Sequence, residues 1–177
     1  VDTTSVILRE SSYTGLYLVS HGSKGHEFTY FRKNSAASLM CSKEIQADLI
    51  RRSVLLHVSG ISQAISDSAC EMVFQSIRIA KKHGVKVSYD PNLRLKLWPL
   101  TKARDVIHQA MAHCDIALPG FDDAVQLTGL VEPEEIVQFY LNLGAGIVAL
   151  SMGPDGVMLG TSAGMEHFKG WKLETVD

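Results

Sequence analysis

Val87-Ser88-Tyr89-Asp90-Pro91-Asn92-Leu93-Arg94-Leu95-Lys96-Leu97-Trp98-Pro99 is the stretch on which the reading of this chain turns. Val85, Val87 and Tyr89 alternate with Lys86 and Ser88, the period of a strand. Asp90-Pro91-Asn92 then stops it: Pro91 has no amide for a ladder, and Asp and Asn bond their own backbone in turns. Directly beyond come Asn92, Arg94, Lys96 and Trp98. Open α/β sheets put their ligand sites beyond the carboxyl ends of strands. Arg94 carries a planar, permanently charged fork that suits a carboxylate or a phosphate. The same fork also suits a surface acid, and Asp90 a simple turn.

On either side of that stretch the pattern alternates. Leu55 to Ser59 reads as a strand ending at Gly60. Ser68-x-x-Glu71 matches a capping box, followed by Ala69, Met72, Val73, Ile77 and Ala80 at helical spacing and by Gly84 as a stop. With the strand through Tyr89 this is a βαβ unit. Thr101 is the expected cap of a second helix, and Asp115 to Pro119 a further strand. A short helix over Phe121 to Leu127 ends near Gly129, and Pro133 opens another that closes at Gly144. Ile147 to Leu150 and Val157 to Gly160 are strands around the turn Met152 to Gly156, with His167 to Lys169 as one more. Helices alternating with short apolar strands predict a three-layer α/β fold with a mostly parallel sheet.

The first forty-one residues differ. Thr14 to Ser20 and Glu27 to Arg32 are β-prone runs around the polar loop His21-Gly22-Ser23-Lys24-Gly25-His26, which predicts a hairpin with an exposed face. Tyr17, Tyr30 and Arg32 then share one face. The division expected is residues 1–41 for hairpin and connection and 42–177 for an α/β core.

Composition narrows the classes. The chain has 177 residues, 46% hydrophobic and 20% charged, with a formal net charge of −2. Nothing in that balance suits nucleic acid or an anionic membrane. The apolar runs are far short of a membrane span, and the start Val1-Asp2-Thr3-Thr4 has no signal pattern. Its lack of Met points to an internal piece of a longer chain. Cys41, Cys70 and Cys114 are odd in number and widely spaced, which fits reduced thiols in the cytoplasm. Dinucleotide, P-loop and G-x-S-x-G signatures are absent, as are paired metal-binding histidines. Gly153-Pro154-Asp155-Gly156 permits backbone amides to approach a nucleotide, or makes a plain turn. Asp122 and Asp123 suit a metal-bound water or the dipole of their helix.

The order of these pieces resembles the PfkB-type (ribokinase-like) carbohydrate kinases, and within them the 2-keto-3-deoxygluconate kinases. Thr14 to Tyr17 with Tyr30 to Ser38 looks like that subgroup's lid. His57-Val58-Ser59-Gly60-Ile61 looks like the turn beneath the sugar. Asp90 to Arg94 with Leu97-Trp98 looks like the D-x-N-x-R…W segment. The resemblance implies a substrate site of Tyr17, Tyr30, Arg32, Gly60, Ile61, Asn92 and Arg94. It implies a nucleotide site of Gly120, Ser151, Gly153 and Gly156, with Asp123 organising magnesium through water. ATP and Mg²⁺ are the implied cofactors. A hairpin with exposed apolar residues is a dimer surface, so a homodimer or higher homo-oligomer through the lid is expected. Two arginines suit an acidic substrate, so 2-keto-3-deoxygluconate leads. A neutral sugar such as fructose is the second reading, and a catalytically silent sugar-acid binder the third. Gly120, Asp123 and Ser151 depart from the family's usual Asn or Ser, Glu and Lys. The family's catalytic Asp is expected beyond Asp177, so this piece by itself is predicted inactive.

Overall fold

The computed structural model describes residues 2–22 and 25–171, with only the backbone of Gly25 and His26 described. The Ser23-Lys24 tip of the expected loop and the end Glu174 to Asp177 lie outside the described residues.

Two strands, β1 (Leu16–Gly22) and β2 (Gly25–Phe31), pair antiparallel as a separate hairpin. The rest runs α1 (Ala47–Arg51), β3 (Leu55–Ser59), α2 (Gly60–Ala64), α3 (Asp67–Lys82), β4 (Lys86–Asp90), α4 (Leu100–Met111) and β5 (Ile116–Ala117). It continues through α5 (Phe121–Thr128), α6 (Pro133–Leu143), β6 (Ile147–Ser151), β7 (Val157–Thr161) and β8 (Gly164–Phe168). Strands β3 to β8 form one six-stranded sheet in chain order. β3 to β6 are parallel, and β7 and β8 turn back antiparallel at the edge. The expected α/β class, mostly parallel sheet and protruding hairpin are all present.

The parity of the strands sorts the sheet's faces. Val87, Tyr89, Ala117, Val148 and Leu150 point to one side and join the buried residues of the helices, among them Ile77, Ile107, Ile136 and Tyr140, in one core. Leu56 and Val58 pack against that core from β3. On the other face His57 Nδ1 meets Ser88 Oγ at 2.7 Å, and Leu55 and Ile147 are exposed. Of the three layers expected, the described residues supply the sheet and the helical layer on one face.

Local details depart from the sequence reading in four places, the first being that β1 runs on to Gly22 and β2 starts at Gly25, so that the expected loop of residues 21–26 is shorter. Ser66, not Ser68, caps α3, its Oγ accepting from the Ala69 amide at 3.1 Å. Asp67 at the first helical position complements the helix dipole, and Glu71 turns outward to pair with Arg78. Thr101 does not cap α4: the helix already begins at Leu100 behind Pro99, whose ring holds the extended entry. The last strand starts at Gly164 rather than His167, because a turn at Ala163 folds the chain straight back along β7.

Candidate active site

The parallel strands all release the chain on the same rim. Gly60 follows β3, Asp90-Pro91-Asn92 closes β4, Gly120 stands shortly after β5, and Met152-Gly153 follows β6. This is the rim at which such sheets bind ligands.

Two clefts open there. The first, about 290 Å³, lies between hairpin and sheet, lined by Phe28 and Tyr30 of β2, by Leu93 to Lys96, and by Gln126 of α5. Tyr17 stands directly opposite Tyr30 in the ladder, ring centroids 6.3 Å apart, and Phe28 stacks on Tyr30 at the same separation. The Arg32 guanidinium lies 5.5 Å from the centre of the Tyr30 ring, a cation–π arrangement. Its Nε is buried without a partner. The expected trio of Tyr17, Tyr30 and Arg32 therefore sits together, and Arg94 faces Tyr30 across the cleft. Arg94 Nη1 donates to the neighbouring Leu93 carbonyl at 2.6 Å.

Gly60, Ile61 and Asn92 are placed differently. None of the three lines that cleft; Tyr17 and Arg32 do not line it either and reach it only through their contacts with the Tyr30 ring. A side chain at Gly60 would put its Cβ 2.1 Å from the Pro91 carbonyl oxygen, so only glycine lets α2 start against the β4 turn. Asn92 takes a positive φ of 37°, its amide donating to Asp90 Oδ1 at 2.9 Å. That turn presents Leu93 and Arg94 to the cleft.

The second cleft, about 570 Å³, gathers Gly120, Ser151 and Gly153 with Asp122 and Asp123. Gly120 and Ser151 bridge as neighbours between β5 and β6. Gly153 has φ +57° and Gly156 φ +98°. Gly156 lies behind the lining, where an added Cβ would meet the Phe168 carbonyl oxygen at 2.0 Å. Its freedom therefore serves the reversal from β6 to β7.

Asp123 joins the two clefts. It stands in the first turn of α5, and its Oδ2 accepts from the Leu93 amide at 2.8 Å. Burial pushes its carboxyl above the ordinary range against the pull of that amide and of Arg94. Burial likewise raises Asp90, against the Asn92 amide, His57 and Arg94. Among the described residues no three His, Cys, Asp or Glu side chains gather as a ready metal cage.

Phe28, Lys96, Gln126 and Asp122 also line these clefts and were given no site role, or only a weak one, by the sequence. Strand parity was the available signal for Phe28, two residues before Tyr30. For Gln126 there was none, since only helix docking brings it to the hairpin.

Comparison with known proteins converges on one family. The model of the pfkB family carbohydrate kinases matches residues 1–177. The 2-dehydro-3-deoxygluconokinase of Bacillus subtilis is 32% identical over 99% of this chain and 55% of its own length. The probable fructokinase-7 of Arabidopsis thaliana is 30% identical over 100% of this chain and 53% of its own length. Among solved structures, the PfkB protein of Polaromonas sp. JS666 superposes with a TM-score of 0.86 at 30% identity, over 92% of this chain and 56% of that one. The chain spans about half the length of the curated relatives it matches.

Proposed function

Because the chain belongs to the pfkB family of carbohydrate kinases, we propose that it serves an ATP-dependent kinase acting on the primary hydroxyl of a sugar acid, 2-keto-3-deoxygluconate foremost. The observation that carries this reading is the cleft between hairpin and sheet, where Tyr30 and Arg94 face each other and Arg32 lies over the Tyr30 ring. In this reading residues 1–41 are the lid and its connection, and residues 42–177 the kinase core. Arg32 and Arg94 hold the carboxylate, Tyr17 and Tyr30 cover the sugar, and Gly60, Ile61 and Asn92 shape the floor. Charge-assisted hydrogen bonds contribute roughly 1.5–3 kcal/mol each, and a neutral sugar gains nothing comparable from the arginines.

ATP belongs to the larger cleft, where Gly120, Ser151 and Gly153 supply small side chains and free backbone for phosphates and Gly156 makes the chain reversal behind them. The donor set suits magnesium held through water by Asp122 and Asp123, since that ion usually keeps several waters and bridges substrate phosphates. When bound, it neutralises charge developing on the transferred phosphoryl group. No catalytic base is assigned among these residues. Among the described residues no helix is long and apolar enough to cross a membrane. A cytoplasmic location is part of the same proposal and rests on the free thiols of Cys41, Cys70 and Cys114. We also propose that it self-associates through the hairpin, where Leu16, Leu18 and Phe31 are exposed on one face.

A fructokinase is the second reading, favoured by the similarity to probable fructokinase-7 across the whole chain. A coupled ADP assay on the whole protein with 2-keto-3-deoxygluconate and with fructose decides between them. Arg32→Ala is expected to raise KM for the sugar acid roughly 10- to 100-fold. Preferred use of fructose, with KM indifferent to Arg32→Ala, selects the second reading. Binding of the sugar acid with no ADP formed selects a silent binding protein.

A further inference from the structure

Lys96 lies in the decisive stretch yet has no part in the reading above. Its Nζ donates to the main-chain carbonyl of Phe28, on β2, at 2.7 Å across 68 residues of chain. The Glu27 carboxylate stands 3.8 Å away. These contacts join the hairpin to the loop after β4, and among the described residues β1 and β2 pair only with each other. Its root is bonded, with the Ala36 amide donating to the Tyr13 carbonyl at 2.9 Å and the Tyr13 hydroxyl to the Lys33 carbonyl. A two-stranded ribbon fixed at its root is a lever, and Lys96 ties it further out. Phe28 and Tyr30 wall the cleft on the hairpin side, Arg94 and Lys96 on the other, so this tie spans the cleft whose width it sets.

We infer that Lys96 is a positioning residue: a latch that holds the hairpin over the substrate cleft by capping the Phe28 carbonyl. The cation is spent on a backbone oxygen, which leaves the substrate carboxylate to Arg32 and Arg94. The role in catalysis rests on the function proposed above, whereas the tie itself is a property of the fold.

Hydrogen–deuterium exchange and steady-state kinetics on the whole protein test both parts. Lys96→Met is expected to speed amide exchange over β1 and β2 while β4 and α3 exchange as before. It is expected to raise KM for 2-keto-3-deoxygluconate about 2- to 10-fold, as suits a half-exposed charged hydrogen bond, with kcat at saturating sugar changed less. Lys96→Arg restores both, because a guanidinium also donates to that carbonyl. Glu27→Gln leaves exchange unchanged, because the carbonyl carries the tie. Unchanged exchange in Lys96→Met overturns the latch, and so does faster exchange spread through β4 and α3. Faster exchange confined to the hairpin with an unchanged KM overturns the positioning role. If the protein phosphorylates no sugar acid, the proposed function fails while the exchange result still decides the latch.

Discussion

Gly60 is where a single missing atom has the widest consequence. It is the first residue of α2, and its Cα packs against the Pro91 carbonyl so closely that an added Cβ would sit 2.1 Å from that oxygen. Alanine is the better helix former by about 1 kcal/mol, but the obstacle is backbone and cannot swing aside. Gly60→Ala is therefore expected to lower stability by roughly 1–3 kcal/mol in urea denaturation. It is also expected to weaken sugar binding, because the Asp90-Pro91-Asn92 turn must move. An unchanged midpoint would show that α2 shifts freely. The sequence marked Gly60 as the end of a strand and a piece of pocket wall. It could not supply the reason, which is a close approach between two segments thirty residues apart.

Between elements, Asp115 does the most joining. It precedes β5, and its carboxylate accepts from the Val87 amide at 2.9 Å and from Lys81 and Lys86 at 3.2 Å. Partial burial pulls this carboxyl up, yet the Val87 amide, Lys86 and Lys81 together hold it below the ordinary value. A depressed carboxyl adds stability above its unfolded value and loses it as pH falls through the native one. Asp115→Ala is thus expected to cost roughly 1–3 kcal/mol at pH 7, mostly through the orphaned Val87 amide, since exposed lysine pairs contribute little. Denaturation across pH checks this: the gap to wild type should narrow below the ordinary carboxylate range. Asp90 and Asp123 run the opposite way. Their raised carboxyls favour the fold below their unfolded values, and that contribution is lost as pH rises through the native ones. Most elements themselves were legible. Gly84, Gly129 and Gly144 end α3, α5 and α6 with positive φ, and Pro133 opens α6, all as local chemistry requires. Ser66 took the cap expected of Ser68: it lacks the Glu three residues on, and a serine hydroxyl on the Ala69 amide is cap enough.

For the molecule as a whole, the hairpin is the conspicuous surface. Leu16 and Leu18 are 58% and 61% exposed, on the same hairpin face as Phe31. Exposed apolar strands with free edges invite pairing between copies. Leu18→Asp is expected to shift the protein to monomer in sedimentation velocity without lowering its unfolding midpoint. A wild type that sediments as a monomer would dispose of self-association through this face. The sequence by itself determined the α/β order, the hairpin, the family and the trio of Tyr17, Tyr30 and Arg32. The order, the hairpin and the shared face of the trio follow from local periodicity and turn chemistry, and the family from the resemblance of its motifs to known kinases. Only the tertiary structure decided that Asp123 bonds the Leu93 amide, that Phe28 and Gln126 wall the cleft, and that Lys96 reaches the hairpin. Each depends on segments brought together by strand register and helix packing, and distances of that kind are not written in any neighbourhood of the chain.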